Sequence, residues 1–182
     1  QAVTRRTLAK RFGMSLPPVA EALQRLEQEG LVESKPRVGT RVRTPSELDV
    51  RGHFVVREAL ESQAARLFVN RSNASARAEL IGMAARLDAM FRDNAPDRVR
   101  YEELHEEFHL FVPRTVGYPT LTEAVAKQLR IWSWLGSRLY WGGPVTPMPG
   151  EEGPPWQSHE RLAQALCCGE PVIADRTMRQ HI

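Results

Sequence analysis

Apolar positions in the first thirty residues recur at helical spacing and are cut by strong breakers. Leu8, Ala9 and Phe12 of "RRTLAKRF" follow Thr4, which predicts a short helix capped by Thr4 and stopped at Gly13. Ser15 then opens "SLPPVAEALQRLEQEG", where Pro17 and Pro18 fit only a first helical turn and Val19, Ala22, Leu23 and Leu26 form a stripe ending at Gly30. "LVES" and "TRVR", on either side of "KPRVG", predict two short strands and a basic hairpin. "TPSELDVRG", residues 44–52, leaves that hairpin through Pro45 and offers Ser46 as the next helix cap. Beyond it the pattern is helical, at about 47–69, 74–92, 97–112, 119–141, 156–168 and 171–182, with no strand. Leu60, Ala64 and Leu67 form one expected packing stripe, and Leu80, Met83, Ala84, Leu87 and Phe91 another. "GGPVTPMPGEEGPP", residues 142–155, predicts a loop. The expected fold is mainly α: an N-terminal winged helix-turn-helix over residues 1–45, followed by an all-helical bundle domain over residues 46–182.

Composition changes this picture little, but charge changes it considerably. At 182 residues, 42% apolar and 26% charged, the chain reads as an ordinary globular protein with no run long enough to span a bilayer, and no signal peptide is expected. No membrane partner is expected. Cys167 and Cys168 are adjacent, which suits neither a disulfide framework nor a zinc ribbon, so a reducing, cytoplasmic setting is the default. Residues 1–45 carry nine Lys or Arg against four acids, and the remaining chain carries sixteen against eighteen. A basic head on a slightly acidic body points to a polyanion-binding module joined to a second domain.

Helix, turn, helix and basic hairpin in this order place the second helix in a DNA major groove, with the wing beside it. "TLAKRFGMSLPPVAEALQRLEQEGLVESKPRVGTRV" resembles the DNA-binding domain of the GntR family of bacterial transcription regulators. The resemblance implies a homodimer on double-stranded operator DNA. It also implies a helix ahead of this segment that is not in the chain, so a trimmed start is expected. The family places basic or hydroxyl side chains near the start of the recognition helix, whereas this chain has Leu16, Pro17 and Ala20, which removes arginine readout of bases there. Candidate DNA contacts are Arg5 and Arg6 on the first helix, Ser15, Leu16, Ala20 and Arg25 on or before the second, and Arg37 and Arg41 on the wing, with Gly39 and Thr40 shaping its tip. Arg25 reads equally well as a solvated helix charge.

The body holds the more specific chemistry. In "ELHEEFHLF", His105 and His109 sit four residues apart, so on a helix both imidazoles can meet one ion. Taken alone, such a pair is more often a polar patch beside a core residue, here Phe108. His159, opening "HERLAQAL", and His181, ending "DRTMRQH", place four of the five histidines on three predicted helices able to converge in a bundle. "HEEFH" followed by "HERLAQALCCGEPVIADRTMRQH" is similar to the FCD effector domain of the FadR branch of GntR regulators. That resemblance makes His109, His159 and His181 metal ligands and puts His105 where aspartate is usual, leaving open whether His105 ligates. Four imidazoles favour zinc, with nickel the alternative, over magnesium or manganese.

The same resemblance implies a small organic-acid effector. Arg57 is the candidate for its anionic end, with a surface ion pair as the rival reading, and Arg138 and Trp156 are candidates to line the pocket from position alone. His53 lies outside the pattern and reads as structural. Two other functions compete with a metabolite-responsive regulator. One is a metal-dependent hydrolase, since His105–Glu106–Glu107–Phe108–His109 fits HExxH with Glu106 as base. The other is a sensor of metal alone. The attached winged helix favours the regulator over an enzyme.

Overall fold

The computed structural model describes residues 3–35, 39–92, 97–139 and 158–182, with backbone alone for residues 91, 98 and 132–139. The chain divides into two compact units, Gln1–Asp49 and Val50–Ile182.

In the first unit, α1 (Arg5–Phe12) starts where Thr4 accepts a hydrogen bond from the Thr7 N–H and ends at Gly13, whose φ of 64° turns the chain left-handed. After this turn α2 (Leu16–Gln28) carries Pro17 and Pro18 in its first turn, where no intrahelical N–H is needed. Ala9, Val19 and Leu23 pack together as a small core with Leu8. β1 (Val32–Lys35) pairs antiparallel with β2 (Gly39–Val42), Val32 opposite Val42 and Lys35 opposite Gly39. Val3 adds a bridge to Thr40 on the far side of β2. Ser46 and Asp49 then bond reciprocally, the Asp49 N–H to Ser46 Oγ at 3.1 Å and the Ser46 N–H to Asp49 Oδ2 at 2.9 Å. This is a capping box at the start of α3 (Glu47–Arg71).

The second unit packs most of α3 with α4 (Ala74–Arg92), α5 (Arg98–Val116), α6 (Pro119–Leu139), α7 (His159–Cys167) and α8 (Pro171–His181). Its main core is built from Phe68, Leu80, Leu87, Phe108, Leu162 and Leu166 with smaller neighbours, and Leu110, Val125 and Leu129 form a second cluster. Each fully buried side chain of that size contributes about 1.5–3 kcal/mol. Arg77 ties two helix ends together, donating to the Val69 carbonyl at the end of α3 and the Cys167 carbonyl at the end of α7. Among the described residues of this unit there is no strand, and among all described residues no helix is long and apolar enough to cross a membrane.

Two expectations shift. The helix expected to stop at residue 112, before Pro113, runs on to Val116 and closes at Gly117 (φ 81°), whose N–H bonds the Pro113 carbonyl. Pro113 withholds one backbone donor, but burial of Val112 and Val116 in the main core and the glycine cap offset that loss. The buried face of α3 is also rotated from the Leu60–Ala64–Leu67 stripe. It runs through Arg57, Glu61, Ala64, Ala65 and Phe68, with Leu60 and Leu67 half-buried at its margins. The last helix pair begins at His159, where Ser158 accepts from the Arg161 N–H as N-cap. The expected loop at 142–155 and Trp156 lie outside the described residues.

Candidate metal centre

α5 presents His105 and His109 one turn apart with ring centroids 4.6 Å from each other. The start of α7 brings His159 to 5.2 Å from the His105 ring, and the last residue of α8 brings His181 to 4.8 Å from His159 and 5.4 Å from His109. One nitrogen from each of the four lies within 4.8 Å of the others. His109 and His159 are buried, while His105 and His181 are partly so. Tyr101, one turn before His105, stacks on its ring at 5.9 Å.

Two carboxylates hold two of these rings from behind. His109 Nδ1 donates to Glu61 Oε2 at 2.5 Å, and Arg57 Nε donates to Glu61 Oε1 at 2.6 Å. His159 Nδ1 donates to Asp88 Oδ1 at 3.0 Å, and the same carboxylate accepts from the His159 and Glu160 backbone N–H groups and from Ser158 Oγ, capping α7. With Nδ1 so engaged, the Nε2 atoms of His109 and His159 are buried without a hydrogen-bond partner. An unpaired buried nitrogen costs about 1–3 kcal/mol. Two such nitrogens, with two more imidazoles beside them, suit a metal ion.

Burial pushes the imidazoles of His105, His109 and His181 well below their usual range, reinforced by neighbouring imidazoles and Arg57. Neutral rings keep their lone pairs for a metal. Burial alone would raise the Asp88 carboxyl, but its bonds from His159, Ser158 and Glu160 outweigh that and hold it well below the ordinary carboxylate range. Nitrogens bound about 2.1 Å from one tetrahedral ion stand about 3.4 Å apart. A spacing of up to 4.8 Å therefore closes by up to about 1.4 Å around an ion, a movement for rotation of the imidazole side chains to supply. The donor set fits a transition metal, and His105, which left its role open in sequence, lies inside the cluster.

The other candidate residues distribute unevenly. Arg57 borders the cluster, but its pairing with Glu61 is buried, where a surface ion pair was the rival expectation. His53 bonds Gln128 at 3.0 Å and stays apart from the four. Glu106, the base in the HExxH reading, is not among the grouped ligands, and Glu107 is held by Arg114 on the surface. The side chain of Arg138, all of Trp156 and Arg37 lie outside the described residues.

In the head, Arg5, Arg6, Ser15 and Leu16 are exposed, and Ala20 is half-buried in a groove beside Arg5 and Pro17. Arg25 pairs with Glu21 and Arg41 with Glu33, both at the surface. Gly39 takes a φ of 105°, open to glycine. Thr40 differs from the expectation: its side chain is buried against Ser34 and its backbone bridges Val3, so it braces the wing from inside.

Sequence reasoning missed Glu61 and Asp88. The signal was present, since each is a lone acid interrupting an apolar helix face: Glu61 before Ala64, Ala65 and Phe68, and Asp88 in line with Leu80, Ala84 and Leu87.

Comparison with known proteins agrees with this architecture. Residues 53–182 match the FCD domain, and residues 1–42 match the bacterial regulatory proteins of the gntR family. Over 178 residues the chain is 30% identical to the "Probable D-xylose utilization operon transcriptional repressor" of Paenarthrobacter nicotinovorans, covering 96% of this chain and 73% of that protein. Among solved structures it is similar to E. coli McbR/YncC, with TM-score 0.72 and 20% identity over 99% of this chain and 84% of that one. It is also similar to a GntR family member from Pseudomonas syringae pv. tomato str. DC3000, with TM-score 0.58 and 22% identity over 99% and 72%. A winged helix-turn-helix followed by an FCD domain, matched along nearly the whole chain, makes this protein a member of the GntR family of transcription regulators, in its FCD-bearing branch.

Proposed function

We propose that this regulator binds operator DNA as a homodimer and responds to a small organic acid through a divalent metal held by His105, His109, His159 and His181. The observation that carries the reading is the pair of buried, unpartnered Nε2 atoms on His109 and His159, within a cluster of four imidazoles. Nitrogen-only ligation favours zinc or nickel over magnesium and manganese. A bound ion would supply a positive anchor for a carboxylate in a site walled by Phe108 and Tyr101. The residues themselves would hold the ion, and Glu61 and Asp88 aim the rings of His109 and His159 toward it. In the head, exposed Arg5, Arg6, Ser15 and Arg41 supply phosphate contact, while Leu16 and Ala20 offer only apolar contact to base edges, such as a thymine methyl.

The test is elemental analysis and native mass spectrometry of protein purified without added metal, followed by mobility-shift assays on its own upstream DNA. About one zinc or nickel per chain, dimer bound to DNA and a shift altered by carboxylic acids only in the metal-loaded protein are expected. Metal alone altering DNA binding, with no acid having any effect, would favour a metal sensor. Metal-free protein that cannot be loaded would refute the site.

A further inference from the structure

We infer that Glu61 and Asp88 are the positioning residues of this centre: each fixes one ligand imidazole as its Nδ1–H tautomer, which leaves the Nε2 lone pair for the ion. The inference rests on the metal reading above and adds to it the groups that make two of the four histidines ready ligands before metal arrives. A neutral imidazole carries one proton, and which nitrogen holds it is set by what the other face meets. Glu61 Oε2 stands 2.5 Å from His109 Nδ1 and Asp88 Oδ1 stands 3.0 Å from His159 Nδ1. An ionised carboxylate only accepts, so both Nδ1 atoms must donate. The two Nε2 atoms are the ones left buried and unpaired. The carboxylates come from α3 and α4, whereas the ligands sit on α5 and α7, so two helices that supply no ligand set the orientation of two that do.

Glu61 is exacting because both of its oxygens are used, one by Arg57 and one by His109. An amide at this position has a single oxygen. Arg57, always a donor, takes that oxygen, and the amide N–H then faces His109 Nδ1. His109 is driven to the Nε2–H tautomer, and the nitrogen needed by the metal is blocked by a proton. Asp88 serves differently. Its Oδ1 accepts from both the ring and the backbone of His159, so the cap of α7 and the aim of the ring are one feature.

The test uses full-length protein labelled with 15N at histidine and stripped with chelator, with tautomers read from long-range 1H–15N spectra and Co(II) affinity measured by chelator competition. Wild type should show His109 and His159 as Nδ1–H tautomers before metal is added. Glu61→Gln should convert His109 to the Nε2–H form, and Glu61→Gln and Asp88→Asn should each weaken Co(II) binding about 10–100-fold. Ser158→Ala removes a partner of Asp88 and the N-cap of α7 without touching the ring contact. It should lower thermal stability while Co(II) affinity stays within about twofold, below the range expected for loss of an orienting partner. Wild type that takes up no Co(II) would overturn the metal reading, and this inference with it. Normal uptake by wild type combined with unchanged affinity in both carboxamide variants, or with His109 or His159 protonated on Nε2 in the stripped protein, would overturn the positioning role and leave the metal reading standing.

Discussion

Replacing Arg57 by Met tests whether this arginine holds the site together or waits for a ligand. Its side chain is 6% exposed and that of Glu61 is 2% exposed, with Nε and Oε1 separated by 2.6 Å. Methionine keeps most of the stem volume but removes the cation, stranding a carboxylate that already has His109 on its other oxygen. Removing one partner of a buried pair costs about 3–5 kcal/mol. For a chain of this size each kcal/mol moves the midpoint by about 2–4 °C, so the unfolding transition of the helical unit should fall by roughly 6–20 °C. The assay is thermal unfolding by circular dichroism in chelator, which removes any contribution from metal or effector. Arg57→Met combined with Glu61→Leu should recover much of the loss, because an apolar pair of similar volume replaces the ion pair. It should still fall short of wild type by about 1–3 kcal/mol, since His109 Nδ1 loses its acceptor. A midpoint for Arg57→Met within about 2 °C of wild type would refute the structural role, because the estimated cost requires a larger fall. It would return Arg57 to the effector.

His159→Ala and His181→Ala should each greatly reduce metal content by elemental analysis, while His53→Ala, whose ring bonds Gln128 outside the cluster, should leave it unchanged. Chelator-stripped protein should lose stability in mild acid. Burial depresses the folded-state values of His105, His109 and His181 below 6.5, so their contribution is present above about pH 6.5. It is lost as pH falls through that value toward the folded ones, at up to about 1.4 kcal/mol per pH unit for each imidazole. A thermal midpoint flat between about pH 7 and 5 would refute it. On DNA, Arg41→Ala should weaken binding and flatten its salt dependence by about one unit of slope. Selection from random DNA should return a core unlike the arginine-read sites of relatives, because Leu16 and Ala20 stand where the basic or hydroxyl residues would.

The head was legible because its signals are local. Gly13, the Pro17–Pro18 pair and Gly30 each mark a boundary that needs no knowledge of the rest of the chain, and the structure turns at each. The body was legible in its element order and less so in its faces. Reading hydrophobicity along α3 rotates the stripe away from Arg57 and Glu61, because a charged pair is expected outside. Only the tertiary arrangement, with His109 waiting on α5, makes burial of that pair affordable. The end of α5 shifts for a related reason: the burial of Val116 that carries the helix past residue 112 and through Pro113 is not a local signal. The four histidines could be grouped through the resemblance, since their spacing alone leaves the polar-patch reading open. Glu61 and Asp88 stand out as acids on apolar faces, but which rings they hold, 48 and 71 residues away, only three-dimensional contact shows.

The exchange of aspartate for His105 gains its meaning from those two carboxylates. A carboxylate bound directly to an ion offsets a full charge at contact distance. Glu61 and Asp88 act across an imidazole ring, where Coulomb attraction is weaker in proportion to distance, and Arg57 beside Glu61 cancels part of its field. They can orient the ligands and make them more basic without neutralising the centre as aspartate would. A four-imidazole site backed in this way therefore keeps more positive potential than the usual set and should hold an anion more tightly. His105→Asp isolates the effect, because it alters the charge touching the ion while leaving both supporting contacts in place. Retained metal with weaker binding of small carboxylates, measured by calorimetry on the metal-loaded protein, is the expected result. Equal or tighter binding would mean that the anion is held by other groups, and that the extra imidazole serves only to select the metal.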